Sequence, residues 1–329
     1  MLQMLNEKTR HTAAYHSDHC QKDEEMYYHS LNEALQETYN CKVYKLSLET
    51  GCTCPNRDQT KGTGGCIFCS QGGSGEFAAP RGLSIHQQIE SAKKRVENKS
   101  RTHKYIAYFQ SFSNTYGHVS YLEPLFTEAI LHPEIVALSI ATRPDCFTEE
   151  IYSMLNRLQK IKPVWIELGL QTIHPRTAEL IHRAYELCEF EEAVNRLAEM
   201  NILVVTHMIL GLPGESREDM LESVTYLGTQ KVNGVKFSLL HVLRNTVLAD
   251  MYEKGEFETL EMDAYIDILA DCILRLPREV VIHRLTGDGP KSLLIAPMWS
   301  ANKRAVLNAI TRTFSQRDIC QGSDRRALL

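Results

Sequence analysis

An alternation of short apolar stretches with helix-like segments constrains this chain more than any other feature. Val43–Leu48, Tyr105–Gln110, Val136–Ala141, Val164–Leu170, Leu203–Leu210, Val235–Leu240 and Val280–Leu285 read as buried strands. Between them lie Ile85–Val96, Leu122–Leu131, Glu149–Leu158, Arg176–His182, Glu189–Met200, Ser216–Leu227 and Asp263–Arg275, whose apolar residues recur at helical spacing. Capping residues mark several starts: Thr148 precedes Glu149 and Glu150, and Ser216 precedes Arg217, Glu218 and Asp219. Strands joined through helices run parallel. Six or seven such units in 329 residues predict an α/β fold, a partial (βα)6-type barrel with a short N-terminal extension and a C-terminal helical segment. Residues 1–25 are polar and without periodicity and read as a mobile extension, Tyr27–Tyr39 as a short amphipathic helix, 26–310 as the barrel domain and 311–329 as a tail.

In a βα barrel the reactive groups stand on loops that follow the carboxyl ends of the strands. The unusual residues of this chain fall in those places. A cysteine-rich loop follows the first strand, Gln110–Thr115 the second, Thr142–Asp145 the third, Gln171 and Thr172 the fourth, and Gly211–Glu215 the fifth. The first of these loops is the most informative. Cys66 and Cys69 form a CxxC pair, Cys54 lies eleven intervening residues upstream, and Cys52 makes a fourth thiol within eighteen residues. Glycines at 62, 64, 65, 72, 73 and 75 let the backbone wrap closely around a bulky object. Three readings compete: core cysteines in a glycine-rich loop, a closed zinc site using all four thiols, or an iron–sulfur cluster held by three thiolates with one iron left open. The bland reading does not account for so dense a cluster, and the Cys52–Cys54 spacing is tighter than zinc ribbons show.

The chain carries ten cysteines and a formal net charge of -5. No leader with a charged start and an apolar run is visible, and no apolar stretch is long enough to cross a bilayer, so the thiols are expected to be reduced, in the cytoplasm, and not tied to a membrane. A net negative charge argues against a global electrostatic grip on nucleic acid; a polyanion partner needs a local basic patch. Residues 92–104 carry six Lys or Arg and one acidic residue, and Lys303, Arg304, Arg312 and Arg317 add a weaker basic helix. A solvated helix face is the competing reading of both.

The cysteine loop, Ala141–Asp145 and Glu167–Thr172 together resemble the bacterial YhcC/YtqA-type radical S-adenosylmethionine (SAM) proteins, a group related to the radical SAM part of the Elongator catalytic subunit. Gly211–Glu215, His283–Asp288 and Pro297–Ser300 extend the likeness, which spans about residues 26 to 310. Two departures are Cys52, where the group has an aromatic residue, and Gln59, where it has glycine. The resemblance implies a [4Fe-4S] cluster on Cys54, Cys66 and Cys69, with SAM bound to the open iron. Such a site cleaves SAM to methionine and a 5′-deoxyadenosyl radical, which takes hydrogen from a substrate carbon. A reducing electron donor such as flavodoxin or ferredoxin is implied as partner.

Place on the barrel then assigns candidate contacts. Gln110 and Asn114 would face the methionine amino group, and Thr142 and Arg143 end the third strand, where Arg143 could pair with a carboxylate of SAM or substrate. Glu167 and Gln171 could bind ribose hydroxyls, and Ile209 to Gly214, with Gly211, could pack on adenine. The bland counterparts are a turn braced by Arg143 and a buried ion-pair partner in Glu167. His207, His241 and His283 lie in or near late strands, and His283 with Arg284 opens a polar run that could serve catalysis. The likeness to Elongator implies tRNA as substrate, at the wobble uridine, with carboxymethylaminomethyl-uridine converted toward aminomethyl-uridine. A radical SAM enzyme on a small metabolite or peptide and a non-catalytic zinc-stapled binding protein are the rival readings.

Overall fold

The computed structural model describes residues 27–73, 82–98, 102–287 and 289–324. The extension expected over 1–25, Gly75, residues 99–101 of the basic run and Asp288 lie outside the described residues. Among the described residues no helix is long and apolar enough to cross a membrane.

Seven parallel strands form one curled sheet, a half-barrel. Helix α1 (Leu31–Tyr39) leads into β1 (Tyr44–Leu48), followed by α2 (Ile85–Val96), β2 (Tyr105–Phe109), α3 (Val119–Leu131), β3 (Ile135–Thr142), α4 (Glu149–Gln159) and β4 (Val164–Gln171). Then come α5 (Pro175–Leu180), α6 (Leu187–Glu199), β5 (Leu203–Leu210), α7 (Arg217–Gly228) and β6 (Gly234–Leu239). A small ribbon, β7 (Val242–Leu243), precedes α8 (Val247–Glu253), α9 (Met262–Arg275), β8 (Val281–Arg284), β9 (Leu294–Ala296) and α10 (Lys303–Gln316). The sheet order is β1-β2-β3-β4-β5-β6-β8, and β7 pairs with β9 antiparallel. All seven strands expected from the apolar stretches are present, because a run buried on both faces admits few alternatives once caps and crossovers bound it. Thr148 and Ser216 cap α4 and α7 as expected, their hydroxyls accepting from Ile151 and Asp219 amides. The pattern did not reveal β7, β9 and α8, which are too short for periodicity to register. The expected tail boundary at residue 310 falls inside α10, and Phe314, Ile319 and Gln321 beyond it are buried.

Along each strand alternate side chains point into the half-barrel, and they stack in layers. At the amino ends Val43, Ile106, Ala137 and Trp165 pack with Leu35 of α1, so this helix stoppers the interior from below. Its start is fixed by a capping box between Ser30 and Glu33. Above the plug lies a polar layer containing Lys45, Tyr108, Ser139, Glu167, His207 and Lys236. Above that, Ser47, Gln110, Ala141, Gly169, Ile209 and Ser238 line the mouth. The outward faces bury the helices in the main core. The segment before α1 also covers the outer edge of β8: Ser30 bridges Ile282 in parallel, and the Ile282 amide donates to His29 O at 2.8 Å. Gln321 ties the same corner, accepting from the His29 amide and donating to Pro277 O and Val280 O.

Phe126 of α3 is fully buried and meets Phe109 of β2 edge-on, with ring centroids 5.0 Å apart. Phe126→Ala is expected to cost about 3–5 kcal/mol, read as a lower urea midpoint with unchanged slope.

Candidate functional site

The cysteine loop is built as a cradle. Turns close on Cys54 O, which accepts from Arg57, and on Cys66 O, which accepts from Cys69 at 2.9 Å. Ile67, between the CxxC thiols, is buried in a satellite core with Ile181, Leu212 and Leu248, and its amide and carbonyl bond to Ile181 O and the Leu248 amide. That one apolar side chain fixes the loop against α5 and α8. Arg57 reaches back to donate to Cys69 O at 3.0 Å and lies over the Phe112 ring. A Cβ on Gly73, whose φ is +58°, would meet that ring at 2.4 Å, so only glycine lets the loop close against β2.

Cys54, Cys66 and Cys69 all line a cavity of about 580 Å³ over the carboxyl ends of the strands. Cys52 does not; it packs against the core below Gly117. Among the described residues, the one trio of His, Cys, Asp or Glu whose ligand atoms lie within 4.8 Å of one another is Glu90, His132 and Glu134. The loop thiols are therefore set wider than the sulfurs around a single zinc ion, which stand about 3.8 Å apart at tetrahedral geometry. Wide spacing and a facing cavity fit a multi-iron cluster whose thiolates bind different irons. Burial and the neighbouring thiols push the Cys66 thiol up to about 12, so a thiolate there calls for a bound cation. The Glu90 trio is different: Lys93 bonds to Glu90 at 2.9 Å and to Glu134, so an ammonium already serves these carboxylates.

Of the remaining expected residues, Gln110, Thr142, Arg143, Glu167, Gln171, Ile209, His283 and Arg284 line the same cavity. Asn114 and Gly211 do not. Asn114 is fully buried behind the wall, bonded to Thr50, Ser111 O and Ala141 O, and Gly211 turns the chain at φ +87° against Leu260. Arg143 is held by Asp145 through paired bonds of 2.9 Å, with Ala184 O as a third partner and Tyr185 under its guanidinium. Asp145 is also paired with Lys61 at 2.8 Å. Arg143 thus braces the turn through its Nε and Nη2 atoms while its side chain also lines the cavity. Gln171 has φ +62°, and its side chain folds over Gly169, where a Cβ would lie 2.4 Å from its amide nitrogen.

Glu167 differs most from expectation. Its carboxylate is fully buried and accepts from Lys45 at 2.6 Å, Ser139 at 2.7 Å, His207 at 2.7 Å and Lys236. Desolvation opposes its ionisation, but the two lysines and His207 hold its carboxyl well below the usual range. Burial pushes the Lys236 ammonium down to about 7, with Glu167 opposing and Lys45 and Arg284 adding to the shift. Burial likewise lowers His207 to about 4, so it sits neutral. Sequence reasoning missed Lys45, Tyr108 and Lys236; the available signal was a charged residue inside a stretch otherwise buried on both faces.

Of the basic stretch, residues 92–96 end α2 and residues 102–104 precede β2 directly, so these described parts lie at the amino ends of the strands, away from the thiols. Lys303 and Arg304, by contrast, line a second cavity with Lys291, Met298 and Trp299, and Gly289 and Pro290 are common to both cavities. Arg317 is committed to Asp267 and Asp271.

Comparison with known proteins agrees with this architecture. Residues 48–227 match the radical SAM superfamily model and 232–316 the Radical_SAM C-terminal domain. The chain is 43% identical over 295 residues to the uncharacterised protein YtqA of Bacillus subtilis, covering 90% of this chain and 92% of that protein. It is 28% identical over 171 residues to a tRNA uridine(34) acetyltransferase of Methanocaldococcus jannaschii, covering 51% of this chain and 31% of that protein. Among solved structures it resembles archaeal Methanocaldococcus infernus Elp3 with a TM-score of 0.65 at 17% identity, over 85% of this chain and 64% of that one. The chain belongs to the radical SAM superfamily, whose enzymes use a [4Fe-4S] cluster and SAM.

Glu167→Gln would leave Lys45 and Lys236 buried without their carboxylate and is expected to cost about 3–5 kcal/mol, read as a fall in melting temperature. Because the folded carboxyl is held low, its contribution is complete above the unfolded value of about 4.3 and fades as pH falls toward the folded one. The wild-type advantage should therefore shrink on acidification below about pH 4.

Proposed function

We propose that this member of the radical SAM superfamily modifies the wobble uridine of tRNA, turning carboxymethylaminomethyl-uridine toward aminomethyl-uridine. The observation that carries the enzyme class is the convergence of Cys54, Cys66 and Cys69 on one cavity at the mouth of the half-barrel, with Cys52 facing elsewhere. In this reading those three thiolates hold the cluster. Gln110, Thr142, Gln171 and Ile209, which line the mouth, position SAM, and Asp145 and Tyr185 hold the Arg143 cation beside the thiolates. Bound there, the cluster and SAM supply a 5′-deoxyadenosyl radical able to take a hydrogen atom from a substrate carbon. The half-barrel walls and the α1 plug exclude water from below, and close packing of the substrate sets its carbon in reach.

Two features support RNA as the substrate. The matched tRNA uridine(34) acetyltransferase is named for that nucleotide. The rim beside the mouth carries the exposed cations Lys291, Lys303 and Arg304, with Met298 64% exposed among them, a surface suited to phosphates and a base face. Lys93, Lys94 and Arg95 at the end of α2 lie at the far end of the barrel and are not assigned to the same contact. A small metabolite or peptide is the rival substrate. The reading places the enzyme in the cytoplasm and requires a low-potential donor of the flavodoxin or ferredoxin kind.

Reconstituted without oxygen, the wild type and Cys52→Ala are expected to hold about four irons, and Cys54→Ala to lose iron and deoxyadenosine formation together. Mass spectrometry of tRNA nucleosides after incubation with SAM and strong reductant should show loss of the carboxymethyl group. Its two carbons leave as glyoxylate when the carbon beside the amine is oxidised to an imine that takes up water, with SAM, reduced to methionine and deoxyadenosine, as the two-electron oxidant. Intact nucleoside alongside normal SAM cleavage rejects this substrate and keeps the enzyme class. Lys303→Glu with Arg304→Glu should weaken tRNA binding and flatten its salt dependence by about two counterions; an unchanged salt slope removes the rim from the interface.

A further inference from the structure

We infer that the polar layer inside the half-barrel is a carboxylate-binding subsite, in which Arg284, beside Lys236, receives an anionic group of the substrate. The inference deepens the proposed function and rests on it only for the identity of the molecule that bears the carboxylate.

The charges of the layer do not balance among the described residues. Lys45, Lys236 and Arg284 face the cavity, and Glu167 is the one carboxylate lining it. Glu167 has no capacity to spare: both its oxygens already accept from Lys45, Ser139, His207 and Lys236. The neighbouring cations are settled elsewhere, Arg183 on the carbonyls of Leu170, Thr172 and Tyr185, Arg57 on Cys69 O, and Arg143 on Asp145. The Arg284 guanidinium makes no hydrogen bond or ion pair with another described residue, although its backbone follows His283 on β8 and pairs in register with Lys236 on β6. His207 and His283 are held neutral by burial and supply no negative charge.

Arg284 is half-buried at the cavity wall, and the layer beside it is more closely enclosed. The side chain of Lys236 is 5% exposed and that of Lys45 17%, with the Tyr108 ring beneath both and the Trp165 ring beneath Lys45. The α1 plug seals the layer from the amino ends of the strands. A cation removed from water without an equal counter-charge is unfavourable, and an anion brought into such a place gains what the cation lacks. Guanidinium beside ammonium suits a planar carboxylate, which the arginine fork can engage through two parallel bonds. The polar ends of Ser47 and His207 leave little that would favour a purely apolar occupant. Lys236, shared between Glu167 and the Tyr108 hydroxyl, then holds the counter-ion in place and acts as a positioning residue.

The test uses SAM-loaded, anaerobically reconstituted enzyme in isothermal titration with the nucleoside carboxymethylaminomethyl-uridine and its carboxamide. N-benzylglycine and its carboxamide form a second pair that carries the carboxylate without any nucleoside. In each pair the acid should bind the wild type more tightly than the amide, and Arg284→Met should weaken the acid about ten- to hundredfold while leaving the amide unchanged. Arg284→Lys should recover part of the loss. Iron content and melting temperature should match the wild type in these variants, which reports that they fold, and SAM affinity is measured alongside. Asp288→Asn should leave acid binding as it is. Equal binding of acid and amide overturns the inference. So does a parallel loss of SAM affinity, which would assign the cations to the methionine carboxylate, and so does tighter acid binding in Asp288→Asn, which would show the charge met within the chain. If N-benzylglycine discriminates and depends on Arg284 while tRNA is untouched, the subsite stands and the RNA reading falls.

Discussion

One buried carboxylate organises the interior of this half-barrel. Glu167, at the centre of β4, gathers Lys45 from β1, Ser139 from β3, His207 from β5 and Lys236 from β6. No other carboxylate among the described residues lining the cavity could hold these groups. Parallel strands share no hairpins, so their relative depth is set only by backbone ladders and side-chain layers. A charged hub that touches four strands fixes that depth far more narrowly than apolar packing, because an ion pair is intolerant of small shifts once it is out of water. The mouth inherits this precision. Cys54 lies six residues beyond the end of β1 at Leu48, and Thr142 and Gln171 end strands that the hub has registered.

The loop itself relies on a different device. It is anchored through Ile67 buried on one side and Arg57 hooked onto backbone carbonyls on the other. Those anchors are apolar and cationic, so neither competes with thiolates as a ligand. The Asp145 carboxylate is engaged by Arg143 and Lys61. A loop made in this way stays selective for soft, thiolate-loving metal.

Much of the fold was legible in the sequence, and the reason is visible in particular elements. β3 and β4 are mostly apolar runs, interrupted only by Ser139 and Glu167 before their polar ends and bounded by Thr148 at a helix start and Gln171 at a turn, and each of these signals is local. The ribbon of β7 and β9 pairs Leu243 with Leu294, and no local signal spans such a distance. The site was legible where chemistry clusters in sequence, as in Cys54, Cys66 and Cys69, and illegible where the barrel assembles it. Glu167, Lys45 and Lys236 each look odd alone; only the strand register shows that they answer one another. Arg143 shows the converse. Its place beside proline and Asp145 was visible, yet whether its guanidinium is free or committed depends on a side-chain geometry that no spacing encodes.

The short segment ahead of α1 has a consequence for solution behaviour. A strand at the end of a sheet offers a row of backbone donors and acceptors to any passing chain. Here His29 and Ser30 occupy part of that row on β8, and Gln321 clamps the corner from the other side. The cover is short, held by few bonds, and separate from the thiol chemistry at the opposite end of the barrel. Trimming it would leave a cluster-competent enzyme with an adhesive flank, so damage there would be seen first as clumping of intact molecules and only later as lost turnover.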